Sequence, residues 1–251
     1  MEIPYWISAA DIFFWKCLYI TLLDLKIKSI FSHLTQNNQN HLMSKLLYIE
    51  ASPRKSRSKS IEVSQVFLSE LQAAHPSVEI DKLDLWTTKL PAFDGDVADA
   101  KYAILHGQPH TPDQAKAWQE VVSVIERFKS ADWYLFSLPM WNFGVPYVLK
   151  HWIDVIVQPG LTFSFSPTEG YKGLVSNKKA AVVYARGGAY GPGTGAEGYD
   201  LQSKTLGGIL GFVGISEVTN IFIEPTLAAP DEVDATVAKA KTLAVSTAKS
   251  F

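Results

Sequence analysis

The chain has 251 residues, of which 47% are hydrophobic and 19% are charged, so it is long enough to bury a sizeable core. Its formal net charge of −2 and pI near 6.3 give no sign of the basic surface that nucleic-acid-binding domains carry. The single cysteine, Cys17, excludes an intrachain disulfide and leaves no cysteine set for structural zinc or an iron–sulfur cluster. A reducing, cytoplasmic location is therefore expected.

Residues 1–42 differ in composition from the rest of the chain. An aromatic and aliphatic run at 12–23 is shorter than the roughly 20 apolar residues that span a bilayer, and the acidic Glu2 and Asp11 precede it where a secretory signal is basic. Three interpretations are open: a peripheral membrane or partner helix, a targeting remnant, or an extension that is absent from the mature protein. We favour the third, a disordered or loosely helical extension, because Met43 directly precedes the first convincing strand.

From residue 43 onward, strand patterns alternate with helical patterns. Five apolar or alternating runs are typical of strands: 46–49, 78–85, 133–138, 180–185 and 218–224. Helical spacing of apolar residues occurs in five segments: 63–74, 112–129, 147–157, 199–212 and one that begins at 230. Two long connections remain, 86–111 and 166–178, and we expect them to be loops that enclose a substrate pocket.

This alternation predicts an α/β domain over residues 43–251. Strands joined by helices form a parallel sheet with helices on both faces, and right-handed crossovers make the fold doubly wound. The strand order 2-1-3-4-5 places the carboxyl ends of strands one, three and four side by side. The loops that follow these three strands are therefore expected to meet in one crevice.

The loop at 52–60 follows the first strand and leads into a helix. Backbone N–H groups at a helix N-terminus attract phosphate, and serine hydroxyls add further donors. Four cations add positive charge: Arg54, Lys55, Arg57 and Lys59. The G-x-x-x-x-G-K-[ST] pattern of nucleoside-triphosphate sites is absent, so the loop predicts a site for a single phosphate group. An ordinary polar loop capped by serine is the alternative.

The turn after the third strand suits a flat ring with polar edges. It combines aromatic rings, an amide side chain and backbone donors between Pro139 and Pro146, whose rings fix φ. Gly144 is expected to supply a conformation or a close approach that other residues resist. After the fourth strand, Gly187 and Gly188 allow close approach of the backbone to a ligand, although such a turn often serves no ligand.

Other catalytic and metal-binding motifs lack support. No G-x-S-x-G nucleophile elbow occurs, and no pair of histidines has zincin spacing, so no metal site is predicted. The literal G-x-G-x-x-G match at 193–198 begins several residues after the fourth strand. We interpret it as a chance match, because a dinucleotide fingerprint starts at the strand end.

Several motifs on these strand ends together resemble FMN-dependent NADH-azoreductases, which belong with the flavodoxin-like quinone reductases. The resemblance covers residues 43–251. The matching segments are Ser52 with Ser58-Lys59-Ser60, the run 139–146, the run 149–154, Pro159-Gly160-Leu161-Thr162-Phe163, and Arg186-Gly187-Gly188. The resemblance implies a flavodoxin-like fold and a cytoplasmic homodimer that binds FMN and makes no use of nucleic acid or a membrane span.

Carried over by position, the resemblance implies three groups of FMN-binding residues. The phosphate would be held by Ser52, Ser58, Lys59 and Ser60. The ring and ribityl chain would meet Met140, Trp141, Asn142 and Phe143. The other edge of the ring would lie along Ala185, Arg186, Gly187 and Gly188. Ala185 stands where the family often has serine, which leaves one hydroxyl contact in doubt.

The reaction that the resemblance implies has two steps. NADH or NADPH gives a hydride to the flavin, and a quinone or aromatic azo compound then accepts two electrons, with no protein nucleophile. Phe163 and Tyr171 are candidates for a wall that stacks on the substrate, across a homodimer interface, or for simple loop packing. The alternatives are a flavodoxin-like electron carrier, which the balanced charge disfavours, and an FMN-binding regulatory protein.

Overall fold

Seven strands and six α-helices make up the described part of the chain, residues 43–251 of a computed structural model. The strands are β1 Lys45–Glu50, β2 Glu79–Asp84, β3 Trp133–Pro139, β4 Phe163–Ser166, β5 Gly170–Gly173, β6 Lys179–Ala185 and β7 Glu217–Ile223. The helices are α1 Lys59–Ala74, α2 Gly95–Leu105, α3 Pro112–Lys129, α4 Tyr147–Ile156, α5 Leu201–Val213 and α6 Pro230–Ala248. Ser44–Phe251 form one compact unit. The expectations for residues 1–42, including Cys17, lie outside the described residues.

Five strands form one parallel sheet in the order β2-β1-β3-β6-β7. When β4 and β5 are left out of the numbering, this order is the predicted one. The short strands β4 and β5 form a separate antiparallel hairpin. Residues 166–178 were expected to be a loop, and that expectation was wrong, because a four-residue strand containing two glycines gives almost no periodic signal.

The alternation of side chains along β1 shows why both faces of the sheet are covered. Leu47 and Ile49 enter a core that also contains apolar residues of α2, α3, α4 and α5. Leu46 and Tyr48 point to the opposite face and pack with α1 and α6. Successive side chains of a strand point to opposite faces, so a central strand that is apolar throughout has to be covered on both. Helices on both faces are thus confirmed.

Helix α3 begins as predicted. The Thr111 hydroxyl accepts the N–H of Gln114 at 3.2 Å, the Gln114 side chain accepts the N–H of Thr111 at 3.0 Å, and Pro112 occupies the first helical position. The expectation of a continuous loop at 86–111 was wrong, because this segment contains α2. Asp94 caps that helix, and its inward face is made of small residues, which produce a weak pattern. No helix within 43–251 has the length and apolar character that a membrane crossing requires.

Candidate functional site

The carboxyl ends of β1, β3 and β6 meet at one pocket of about 330 Å³, which we call the strand-end pocket. Seven of the predicted cofactor-binding residues line it: Ser52, Ser58, Lys59, Met140, Trp141, Ala185 and Gly187. The connection after β7 contributes a wall that sequence analysis missed, formed by Thr226 and Leu227. The position of these two residues at the end of a fourth parallel strand could have indicated their role.

The 52–60 loop presents its donors at the start of α1. Ser52 and Ser58 are buried, and the Ser58 hydroxyl caps the helix by accepting the N–H of Ile61 at 3.4 Å. Within residues 43–251, the N–H groups of Lys59 and Ser60 have no hydrogen-bond acceptor. Ser60 does not line the pocket, and its hydroxyl lies 3.1 Å from that of Ser58. Free N–H groups beside buried hydroxyls form a site that favours an anion.

The four cations of this loop separate into two groups. Arg54, Arg57 and Lys59 line the strand-end pocket, but Lys55 does not. The Lys55 Nζ lies 2.7 Å from a Glu50 oxygen and 2.6 Å from an Asp84 oxygen. The expectation that all four cations face a ligand was therefore wrong for Lys55, whose charge is taken up by two carboxylates at the ends of β1 and β2.

The pKa values of this ion pair reflect both burial and charge. Burial alone lowers the pKa of Lys55, but hydrogen bonds to Asp84 and Glu50 outweigh it and raise the pKa overall. Burial alone raises the pKa of Asp84, but hydrogen bonds from Lys55 and the Trp86 N–H lower it overall. Both groups therefore remain charged at neutral pH.

The turn between β3 and α4 is a tight hairpin of backbone. Trp141 and Gly144 exchange two hydrogen bonds, of 3.0 and 2.9 Å, and the Met140 N–H donates to the Ala185 carbonyl at 2.8 Å. Asn142 and Phe143 between them have φ of 48° and 65°, which residues with a Cβ seldom adopt. The unusual conformation therefore belongs to these two residues. The sequence analysis had pointed to Gly144 instead.

Asn142 and Phe143 project from this turn toward solvent. Neither lines the strand-end pocket, and Phe143 packs on Tyr199 with ring centroids 5.0 Å apart. Two strained residues side by side occur mainly at functional sites, because the surrounding structure has to hold them there. Trp141 and Gly144 do this by closing the turn on both sides.

Trp86 is another residue that sequence analysis missed. Its indole N–H donates to the Ala51 carbonyl at 3.0 Å, and its ring packs edge-on against Trp141 and Tyr147, at 5.7 and 5.4 Å. A second cavity of about 590 Å³ lies along Trp141, Asn142 and Tyr147. Trp141 therefore lines both cavities. The place of Trp86 just after β2 was the available signal.

Arg186 serves a different purpose from the one expected. Its side chain is 1% exposed and does not line the strand-end pocket. It bonds Asp200 at 2.9 Å and Glu224 at 3.3 Å, and its guanidinium lies 4.2 Å from the ring centroid of Phe222. Burial alone raises the pKa of Asp200, but hydrogen bonds from Ser203 and the charge of Arg186 outweigh it and lower the pKa overall. The resemblance places Arg186 along the edge of the flavin ring, and in this chain its side chain is held in the core by Asp200 and Glu224.

The two glycines after Arg186 differ in position. Gly187 lines the strand-end pocket, and a Cβ there would lie 3.0 Å from the Leu227 side chain. Gly188 does not line the pocket and lies beside the ring of Tyr190. Of the two, only Gly187 lies at the pocket, where the sequence predicts a close approach of the backbone to a ligand.

Phe163 and Tyr171 lie on the β4–β5 hairpin, away from both cavities. Their rings pack on Phe212, at 4.8 and 5.6 Å, and the Val175 N–H donates to the Val213 carbonyl at the end of α5. This region borders the amino-terminal edge of the sheet, about 20 Å from the strand-end pocket along a seven-residue strand. A single chain therefore does not bring these two residues to the pocket.

Acidic, histidine and cysteine side chains form no group of three or more that could hold a metal ion in the described range 43–251. His151 hydrogen-bonds the Pro91 carbonyl at 2.8 Å.

Known proteins share this fold and much of this sequence. Residues 44–246 match a protein family described as having a flavodoxin-like fold. An FMN-dependent NADH:quinone oxidoreductase from Desulfotalea psychrophila is 49% identical over 209 residues, which cover 83% of this chain and 98% of that protein. A solved azoreductase from Bacillus anthracis str. Sterne has a TM-score of 0.76 and 30% identity, covering 83% of this chain and 100% of its own.

A second solved structure, an FMN-dependent NADH-azoreductase from Bacillus anthracis str. Ames Ancestor, contains FMN. Its TM-score is 0.73 at 27% identity, and the match covers 82% of this chain and 100% of that one. The family resemblance drawn from the strand-end motifs is thereby confirmed. The chain belongs to the flavodoxin-like family that includes the FMN-dependent NADH:quinone oxidoreductases.

Proposed function

We propose that this protein is an FMN-dependent oxidoreductase that carries two electrons from NADH or NADPH to quinones and aromatic azo compounds. One observation carries the proposal: the ends of β1, β3 and β6 form a single pocket with anion-binding donors on one side and apolar groups on another. Family membership supports the same activity, because relatives named for it match nearly their whole length.

The donor set fits FMN. The free N–H groups of Lys59 and Ser60, with the hydroxyls of Ser52 and Ser58, suit a phosphate monoester. Arg54 and Arg57 at the pocket rim add charge. Toward β3 and β6 the lining changes to Met140, Trp141, Ala185 and Leu227, which suits a flat ring. We therefore assign FMN binding to the unit 43–251.

Within this site, the chain binds and orients its ligands. Bound FMN would supply the chemistry itself, as a ring that exchanges two electrons with a nicotinamide and with an acceptor. The turn at 140–144 and Gly187 would border the ring, with Asn142 and Phe143 exposed at the tip of that turn. Ala185 would border the ring, Arg186 supports this part of the pocket from the core through Asp200 and Glu224, and Gly188 supports the turn. No side chain is assigned as a nucleophile.

We also propose a homodimer in which the β4–β5 hairpin of one chain covers the strand-end pocket of the other. Phe165 and Tyr171 are 60% and 67% exposed, which is unusual for adjacent large aromatic residues. Tyr171 packs on Phe165, and also on Phe163 and Phe212. In this arrangement, Phe163 and Tyr171 form the substrate wall that a single chain lacks. A cytoplasmic location agrees with the single cysteine.

The dimer is tested with Tyr171→Ala. We expect a higher KM for the quinone with unchanged flavin absorbance, because the wall meets the acceptor and not the FMN. Lys172→Ala, on the other face of the same strand, is the matched control and should behave as the wild type. A monomer by light scattering, or wild-type KM in the tyrosine variant, would contradict the assignment.

The activity is tested by the visible spectrum of the purified protein. We expect an oxidised flavin band that NADH bleaches under anaerobic conditions and that returns when menadione or an azo dye is added. A bound flavin that NADH does not bleach would favour an electron carrier or a regulatory protein. A colourless protein that takes up no added FMN would contradict the proposal altogether.

A further inference from the structure

Lys55 has an unusual backbone and an unusual partner set for a residue in an anion-binding loop. Its φ is 48°, in the left-handed region that residues with a Cβ seldom adopt. Its ammonium group bonds Glu50 and Asp84, 5 and 29 residues away, and does not line the strand-end pocket. These bonds therefore connect the 52–60 loop to the carboxyl ends of β1 and β2. We call this connection the tie.

One partner of Lys55, the Glu50 carboxylate, lies in the interior of the protein. Glu50 is 1% exposed and also pairs with Lys82 at 2.8 Å. The Tyr48 hydroxyl lies 3.4 Å from Glu50 and 2.9 Å from the Ser137 hydroxyl of β3. A buried carboxylate without cationic partners destabilises the fold. The ion pair with Glu50 therefore favours the inward position of the Lys55 side chain.

A second tie holds the same loop from the same side. The Trp86 indole N–H donates to the Ala51 carbonyl at 3.0 Å, and the Trp86 backbone N–H donates to Asp84 at 3.1 Å. Residues 84–86 therefore fasten the chain at Ala51 and at Lys55. The donors of Ser58 and of the first turn of α1 follow directly after this fastened stretch.

We propose that Lys55 is a positioning residue for the phosphate group of FMN, acting through Asp84 and Glu50 and without contact to the phosphate. This inference rests on the proposed function. The tie holds the 52–60 loop in its binding conformation before the ligand arrives, so that less ordering is needed on binding. The obvious rival is that Lys55 swings out and contacts the phosphate directly.

Asp84→Asn distinguishes these two roles. If Lys55 positions the loop, loss of the Asp84 charge loosens the tie and weakens FMN binding. If Lys55 contacts the phosphate, the same change frees the ammonium group and leaves FMN binding unchanged or stronger. Riboflavin, which lacks the phosphate, reports on the rest of the pocket.

The experiment titrates the full-length apo-protein with FMN and with riboflavin, following the quenching of flavin fluorescence. We expect Lys55→Met and Asp84→Asn each to weaken FMN binding about tenfold, because a loop that is no longer held in place has to be ordered when FMN binds. The double variant should lose no more than either single one, because the two side chains act as one unit. Riboflavin affinity should be unchanged, and Lys55→Arg should keep most of the FMN affinity.

Lys249→Met, which removes an exposed lysine with only a 3.9 Å ion pair, is the control and should bind both flavins as the wild type does. Equal losses for FMN and riboflavin would show a general structural role, and stronger FMN binding by Asp84→Asn would show direct contact; either result overturns the proposal. Unchanged FMN affinity in both Lys55→Met and Asp84→Asn would also overturn the proposal. If Lys55→Met does not fold, the FMN and riboflavin affinities of Asp84→Asn alone test the proposal. A wild-type protein that binds neither flavin would instead refute the proposed function.

Discussion

The loops after β1 and β6 each contain a cation that the sequence places at a ligand and the structure turns inward. Lys55 is partly exposed and ties its loop to Asp84 and Glu50, while Arg186 is buried between Asp200 and Glu224. The first loop keeps its donors free for the strand-end pocket. The second offers only backbone there. The difference shows that an inward cation can either fix a binding loop or hold the core beneath one.

The largest effect should come from Arg186→Met. Removal of this guanidinium leaves two carboxylates at the buried site unpaired, so we expect the free energy of unfolding to fall by about 3–5 kcal/mol. Urea denaturation of the apo-protein measures it. Arg127→Met is the control, since Arg127 forms a partly exposed pair with Asp81, at 2.6 Å, and its loss should cost about 1 kcal/mol or less. Similar losses in the two variants would show that the buried ion pairs of Arg186 contribute no more than a partly exposed one.

A smaller effect is expected from Ser58→Ala. This change removes the cap of α1, which costs about 1 kcal/mol of stability, and a hydroxyl that lines the pocket. FMN affinity should fall about tenfold, because one hydrogen bond to a charged phosphate is lost. Ser56→Ala is the matched control, as Ser56 is exposed and does not line the pocket. Equal FMN affinity in the two variants would show that the hydroxyl donates nothing to the ligand.

The smallest effect is a pH dependence that both loops should share. The pKa values of Asp84 and Asp200 are both lowered from 3.8, so their ion pairs stabilise the fold fully above that pH and lose this contribution as pH falls further. The raised pKa of Lys55 keeps its side of the pair intact until pH passes 10.5. We expect the melting-temperature differences of Asp84→Asn and Asp200→Asn from wild type to be constant at pH 5–7 and to shrink below pH 3.8. Differences that grow on acidification would contradict this assignment.

Local signals predicted much of the fold. The capping box at Thr111 and Gln114 and the apolar strands involve residues close in sequence, and the predicted strand order indicated which strand ends meet. The hairpin and α2 were missed because their segments are short or rich in small residues. The inward directions of Lys55 and Arg186 could not be predicted, because each depends on a carboxylate 29 or 38 residues away. The φ values at Asn142 and Phe143 were missed for a different reason: a locally closed turn imposes them, whereas the sequence pointed to the adjacent glycine.

Trp141 lines both the strand-end pocket and the second cavity, with its ring packed against Trp86 and Tyr147. One side chain therefore borders both spaces. A ligand that displaced this indole on one side would change the room available on the other, so binding in the two spaces would be linked reciprocally.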